Sequence, residues 1–314
     1  MIESLVVFGG GGFIGGHLSS MALRRGASVH IAATTVRDAV PHATWHHVDV
    51  TRENDAQALL EQIRPTHVVN LAAISNIDLA EQSPAVARAV NVAGARRVAQ
   101  ACTRVDARLL PEPTEEGIAW RVDARLLHFS SDAVFSGRQA EYCESDPREP
   151  VNVYGCSKRD GEDSVLDAAP QTSIVRISLA LGFPVTNVTS FLASLHEKLR
   201  EGAPVIAPRD EIRTPLDVNT ICECVLELLE LDHAGPINLA SSDAWDRASI
   251  TRRAADLMGY PRARVNDSPI DDPGRAPRHR SGVLSVELAR SMLKTPLPDV
   301  GQALERAMSG RRSS

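Results

Sequence analysis

A chain of 314 residues, with 43% hydrophobic and 24% charged residues, is long enough for one large α/β domain carrying a smaller lobe. A net charge of −6 and only 4% aromatic residues leave neither a basic tract nor a stacking surface for nucleic acid. No apolar run reaches the length of a membrane helix, and the N-terminus lacks a signal-peptide pattern, so a cytoplasmic protein without a membrane partner is expected.

In chain order, short apolar runs alternate with amphipathic stretches. Ser4–Phe8 (SLVVF) reads as a buried parallel strand, followed by a glycine cluster and a helix from Phe13 to Arg25. Strands are expected at Ala27–Ala33, Trp45–Val48, Thr66–Leu71, Leu126–Ser130 and Ser173–Ile177. Helices are expected at Asn54–Ile63, Pro84–Thr103 and Asn152–Leu166. Such alternation predicts a Rossmann-type, doubly wound parallel sheet.

After Gly182 the rhythm loosens. Helices are expected at Ser190–Arg200, Val218–Leu231, Ala248–Met258, Val286–Leu293 and Gly301–Met308, and a strand at Pro236–Ala240. The dinucleotide-binding domain is therefore placed at 1–182, with 214–240 returning to it. Residues 183–213 and 241–314 form a smaller C-terminal substrate lobe. RVDARLL occurs at Arg104–Leu110 and again at Arg121–Leu127, so residues 104–120 read as a duplicated insertion. Only the second copy leads directly into the strand that carries Ser131, which sets the insertion at the sheet edge opposite the ligand.

The five cysteines have no framework spacing and read as free thiols. Cys222 and Cys224 fall at i and i+2 of a helix, His46 and His47 point to opposite sides of a strand, and no metal site is expected.

Two motifs carry chemistry. Gly9, Gly12 and Gly15 form GxxGxxG between a buried strand and a helix, the context a dinucleotide pyrophosphate needs. The free N–H groups of the turn, at Phe13 and Ile14, face the phosphates. The second strand ends in Ala33, Thr34 and Thr35, with Arg37 following and no acid. This favours NADP(H) over NAD(H), which stays possible. Asp49, followed by Val50, can accept from the adenine amino group, and Leu71, Ala72 and Ala73 are small enough to lie along the cofactor.

Tyr154 and Lys158 form YxxxK on one helix face. The ammonium is expected to lower the phenol's pKa, so that Tyr154 exchanges a proton with a carbonyl oxygen as hydride passes. Ser131, at a strand end, can bind the same oxygen.

With these residues in order, the sequence resembles the extended short-chain dehydrogenase/reductases of the NAD-dependent epimerase/dehydratase superfamily. The resemblance is strongest to the dTDP-4-dehydrorhamnose reductase-like branch. It rests on GGGGFIGG, NLAAIS, NVAGARRVAQAC, SSDAVFSGRQAEYCESDPREPVNVYGCSK, IVRISLALG, RTPLDV and INLASSD, and covers nearly the whole chain. It implies catalysis by Ser131, Tyr154 and Lys158, the last two also touching cofactor. It implies substrate contacts from Ser131, Asp132, Ala133 and Arg213, and a homodimer built on the helices near 84–103 and 152–168. The chain departs from the branch at Ala133, where Tyr is common, and at Leu179 and Ala180, where a large aromatic is common.

The expected activity is NADP(H)-dependent reduction of a carbonyl, or oxidation of a secondary alcohol, on a nucleotide-linked keto sugar or related polar metabolite. The alternatives are an epimerase or dehydratase with tightly held cofactor, and a cofactor-binding regulatory subunit.

Overall fold

The computed structural model describes residues 2–35, 40–103, 124–260, 265–271 and 274–309. The duplicated insertion, Arg37 and the last five residues lie outside these ranges.

Seven parallel strands form the sheet: β1 (Ser4–Phe8), β2 (Ser28–Ala33), β3 (Thr44–His47), β4 (His67–Asn70), β5 (Arg125–Ser131), β6 (Ser173–Ile177) and β7 (Gly235–Leu239). Their order is β3-β2-β1-β4-β5-β6-β7. The doubly wound expectation is met. The switch point lies between β1 and β4, where a crevice opens beyond the strands' carboxyl ends.

The sheet is covered on both faces, so its central strands show no polar alternation. In β1, Leu5 and Val7 pack into the core under α1 (Phe13–Arg24). Val6 and Phe8 pack into the opposite core, shared with α2 (Asp55–Ile63).

The helix expected at Pro84–Thr103 is present but not regular, and a short helix precedes it. A six-residue helix, α3 (Ile77–Gln82), comes first, capped by the Asn76 side chain, which accepts from Leu79 N. The rod that follows consists of α4 (Pro84–Arg88), a π-helical turn (Ala89–Gly94) and α5 (Ala95–Thr103). The π turn turns buried Asn91 into the fold: its Nδ2 donates to Ile74 O and Ser157 Oγ, and its Oδ1 accepts from Ile74 N.

Helix α6 (Val153–Ala168) starts at Asn152, whose side chain accepts from Gly155 N at 2.8 Å. A Cβ on Gly155 would lie 2.1 Å from Ala133 O. Only glycine lets α6 approach the end of β5 this closely, and that approach brings Tyr154 beside Ser131.

Beyond Gly182 come α7 (Phe191–Arg200), α8 (Val218–Glu230), α9 (Arg247–Leu257), α10 (Glu287–Met292) and α11 (Val300–Ser309). Helix α8 packs on the sheet core, buried nearly all round, which is why Cys222 and Cys224 are both buried despite their spacing. Helices α7, α9 and α11 share a separate core built on Leu192, Leu195, Ile250 and Leu304. His46 Nε2 lies 3.0 Å from His30 Nδ1 across β2 and β3. No described helix is long and apolar enough to cross a membrane.

Candidate active site

A cavity of about 860 Å³ runs along the carboxyl edge of the sheet. Gly9, Gly12, Phe13, Ile14, Gly15, Thr34, Asp49, Val50, Leu71, Ala72 and Ala73 line one end. Ser131, Asp132, Ala133, Tyr154, Lys158 and Arg213 line the rest. The structure thus brings together every site residue expected from the sequence except Arg37, which lies outside the described residues.

Gly9 has φ +73° and donates from its N–H to Ala32 O at 2.8 Å. A Cβ there would lie 2.7 Å from Ala72 N and Leu71 C, so the turn between β1 and α1 can be this tight only with glycine. The N-cap Gly12 offers no side chain to the helix start, which leaves the first backbone N–H groups for an anionic ligand. Asp49 Oδ1 accepts from Thr51 N and Oγ1 at 2.9 and 2.7 Å. These bonds outweigh its slight burial and hold its carboxyl below the usual range.

At the other end Tyr154 is buried beside Ser131, and Ser131 Oγ donates to Asp132 Oδ1 at 2.9 Å. Lys158 Nζ donates to Phe129 O at 2.6 Å. The expectation that Lys158 lowers the Tyr154 phenol is overturned. Burial pushes Tyr154 up to about 12; the Ser131 hydrogen bond opposes this, and the Asp132 charge adds to it. Lys158 itself is lowered to about 8 by burial, partly offset by Glu162.

Asp132 is ionised despite full burial. Burial would raise its pKa, but His279, Arg213 and Ser178 outweigh that and bring it to about 2. Its Oδ2 accepts from Ser178 Oγ at 2.7 Å and lies 3.2 Å from His279 Nε2 and 3.5 Å from Arg213 Nε. Arg213, expected against the substrate, is already committed: it also donates to Ile212 O and His279 O and pairs with Glu211 at 3.2 Å.

Behind Lys158, Glu162 joins β5, β6 and α6. It accepts from Ser130 Oγ, pairs with Arg176 at 2.7 Å and with Arg148 at 3.0 Å. Burial would raise its carboxyl, yet Arg176, Ser130 and Arg148 hold it below its ordinary pKa.

No motif pointed to the charged part of the wall. Glu211, Arg247, Arg275, Arg278 and His279 also line the cavity. They come from separate segments with no common spacing, so no motif could have gathered them. Among the described residues no cluster of three or more His, Cys, Asp or Glu could hold a metal.

Comparison with known proteins settles the relationship, because residues 5–240 match the description "NAD dependent epimerase/dehydratase family". The chain belongs to that family. Within it, the chain falls in the dTDP-4-dehydrorhamnose reductase-like branch of the extended short-chain dehydrogenase/reductases, as the sequence resemblance implied. It is 27% identical to dTDP-4-dehydrorhamnose reductase of Mycolicibacterium smegmatis over 98% of this chain and 86% of that protein. It is 29% identical to dTDP-4-keto-6-deoxy-D-glucose reductase of Streptomyces niveus over 98% and 97%. A crystal structure of dTDP-4-dehydrorhamnose reductase from Bacillus anthracis in complex with NADP has the same fold. Its TM-score is 0.82 at 22% identity, covering 99% of this chain and 100% of that one.

Proposed function

We propose that this protein reduces the keto group of a nucleotide-linked sugar, with NADPH as the hydride donor. The observation that carries this reading is the Tyr154–Ser131 contact, with Lys158, on the wall of a cavity joining the glycine turn to an arginine-rich end. The names of the curated relatives, dTDP-keto-sugar reductases, support it.

The residues present fit a dinucleotide. The Gly9 turn leaves backbone in place of side chain, and the N–H groups of Phe13 and Ile14 suit the pyrophosphate. Ala33, Thr34 and Thr35 line the cofactor end without a carboxylate, which suits a 2′-phosphate. NADPH, when bound, supplies the hydride.

Tyr154 then acts as general acid. A phenol held at about 12 is fully protonated at neutral pH, the form that reduction requires. Ser131, beside Tyr154, can bind the carbonyl oxygen by turning its hydroxyl from Asp132. Lys158, its ammonium on Phe129 O, supplies a positive charge on the same wall. Arg213 acts by bracing Asp132 and Glu211. Residues 183–213 and 241–314 supply the substrate lobe over the domain of residues 1–182 and 214–240, except α10, whose Ala289 packs into the core of the sheet.

The reading includes a cytoplasmic homodimer. Leu79, Val86 and Val151 are exposed on or next to α3, α4 and α6, an apolar surface suited to a second copy.

The test is a panel of dTDP-4-keto-6-deoxyhexoses with NADPH, followed at 340 nm. Stoichiometric NADPH oxidation is expected. Conversion of a nucleotide sugar without net NADPH loss would instead show an epimerase or dehydratase, and cofactor binding without turnover of any sugar a regulatory subunit.

A further inference from the structure

The arginine-rich end of the cavity continues into a second lobe of about 380 Å³. The two lobes share Phe191, Glu211, Arg247 and Arg275. Glu211 is 7% exposed, and its two carboxylate oxygens differ. Oε1 lies 3.2 Å from Arg213 Nη2 and 3.7 Å from Arg247 Nε. Oε2 is buried and has no hydrogen-bond partner among the described residues. A buried carboxylate oxygen without a donor is costly and calls for one.

We propose that Glu211 is a specificity residue, whose Oε2 accepts a hydrogen bond from a ring hydroxyl of the bound sugar. This rests on the keto-sugar reading above. The neighbours decide the chemistry. A cation at Oε2 would meet Arg213, Arg247 and Arg275, and a phosphate would be repelled by the carboxylate itself. A neutral donor fits. Its position follows from a chain of contacts: Ser131 to Asp132 at 2.9 Å, Asp132 to Arg213 at 3.5 Å, Arg213 to Glu211 at 3.2 Å. Ser131 and Tyr154 mark the reacting carbonyl. Arg247 and Arg275, beyond Glu211, are the groups suited to phosphate oxygens. The sugar ring lies between, with its hydroxyls facing Glu211.

Calorimetric titration of dTDP and of dTDP-glucose into the wild type, Glu211→Ala and Glu211→Gln tests this. Glu211→Ala should bind dTDP-glucose about tenfold or more weakly, with dTDP affinity changed by less than about threefold. Glu211→Gln keeps the shape with a neutral acceptor, and should lose about threefold or more on dTDP-glucose alone. Equal weakening of both ligands would make Glu211 only a brace for Arg213 and Arg247 and overturn the proposal. Unchanged dTDP-glucose affinity in Glu211→Ala would also overturn it. If circular dichroism shows Glu211→Ala unfolded, Glu211→Gln decides, and unchanged dTDP-glucose binding there overturns the proposal. A wild type that binds neither ligand would instead refute the nucleotide-sugar reading itself.

Discussion

The two ends of the cavity are built in opposite ways. The cofactor end is made of backbone and small side chains: the Gly9–Gly15 turn, Ala32 and Ala33, Ala72 and Ala73. What it offers a ligand is backbone N–H groups and the absence of bulk. The substrate end is made of charge: Asp132, Glu211, Arg213, Arg247, Arg275, Arg278 and His279. There the side chains first balance one another, and the ligand has to join a network already in place. One end accommodates by shape, while the other selects by completing unsatisfied bonds.

The junction between the ends is where a substitution should do most. Tyr154→Phe removes the acid and keeps the ring, so turnover should fall about 10²-fold or more. NADPH affinity, set by the other end, should hardly move. Stopped-flow turnover together with cofactor titration measures both, and near-normal turnover would sink the assigned mechanism.

At the charged end, Arg247 lies over the Phe191 ring at 4.3 Å and next to Glu211. Arg247→Met keeps the stem and removes the charge. It should raise KM for a dTDP-keto sugar about tenfold, the scale of one charge-assisted hydrogen bond, with kcat much less affected. A change in kcat alone would place Arg247 outside ground-state binding.

The legibility of the chain follows the same division. The glycine turn and YxxxK were readable because their partners are local: strand, turn and helix follow one another within a few residues. The sheet was readable because β1, β5 and β6 are short apolar runs buried on both faces. Glu211, Arg247 and His279 were not, since they converge only through the folding of distant segments. Nor did the residues around Asn91 announce a π turn, because small residues such as Ala89 and Ala93 suit an ordinary helix equally well. Reading Tyr154 as acidified by Lys158 failed for a tertiary reason: the ammonium is bonded to Phe129 O, and burial dominates at the phenol.

A third experiment asks whether the network behind Lys158 reaches the chemistry. Lys158 stands at about 8, lowered by burial and partly restored by Glu162. Activity that needs the ammonium should therefore decline as pH rises through about 8. Glu162→Gln removes the restoring charge, so this limb should shift to lower pH. Profiles of kcat/KM between pH 6 and 10 (about two units either side of the limb) test it. An unchanged limb would show that Lys158 does not set it.

The smallest effect is expected at the cofactor end. With no acid at Ala33–Thr35, NADPH should bind several-fold tighter than NADH. Fluorescence titration at fixed salt compares them, and equal affinities would mean that shape alone governs this end too.

The π turn has a consequence for how the chain tolerates change. One surplus residue in a helix shifts everything beyond it by roughly 100° of rotation. Helices α4 and α5 are thus two faces set out of phase, with Asn91 at the offset. Deleting a single residue between Ala89 and Gly94 would restore a regular helix and raise its local propensity. It would also swing Asn91 away from Ile74 and Ser157, or rotate the buried Val98–Cys102 face off α2. The better helix would make the worse protein, so length here is held as strictly as the identity of any catalytic side chain.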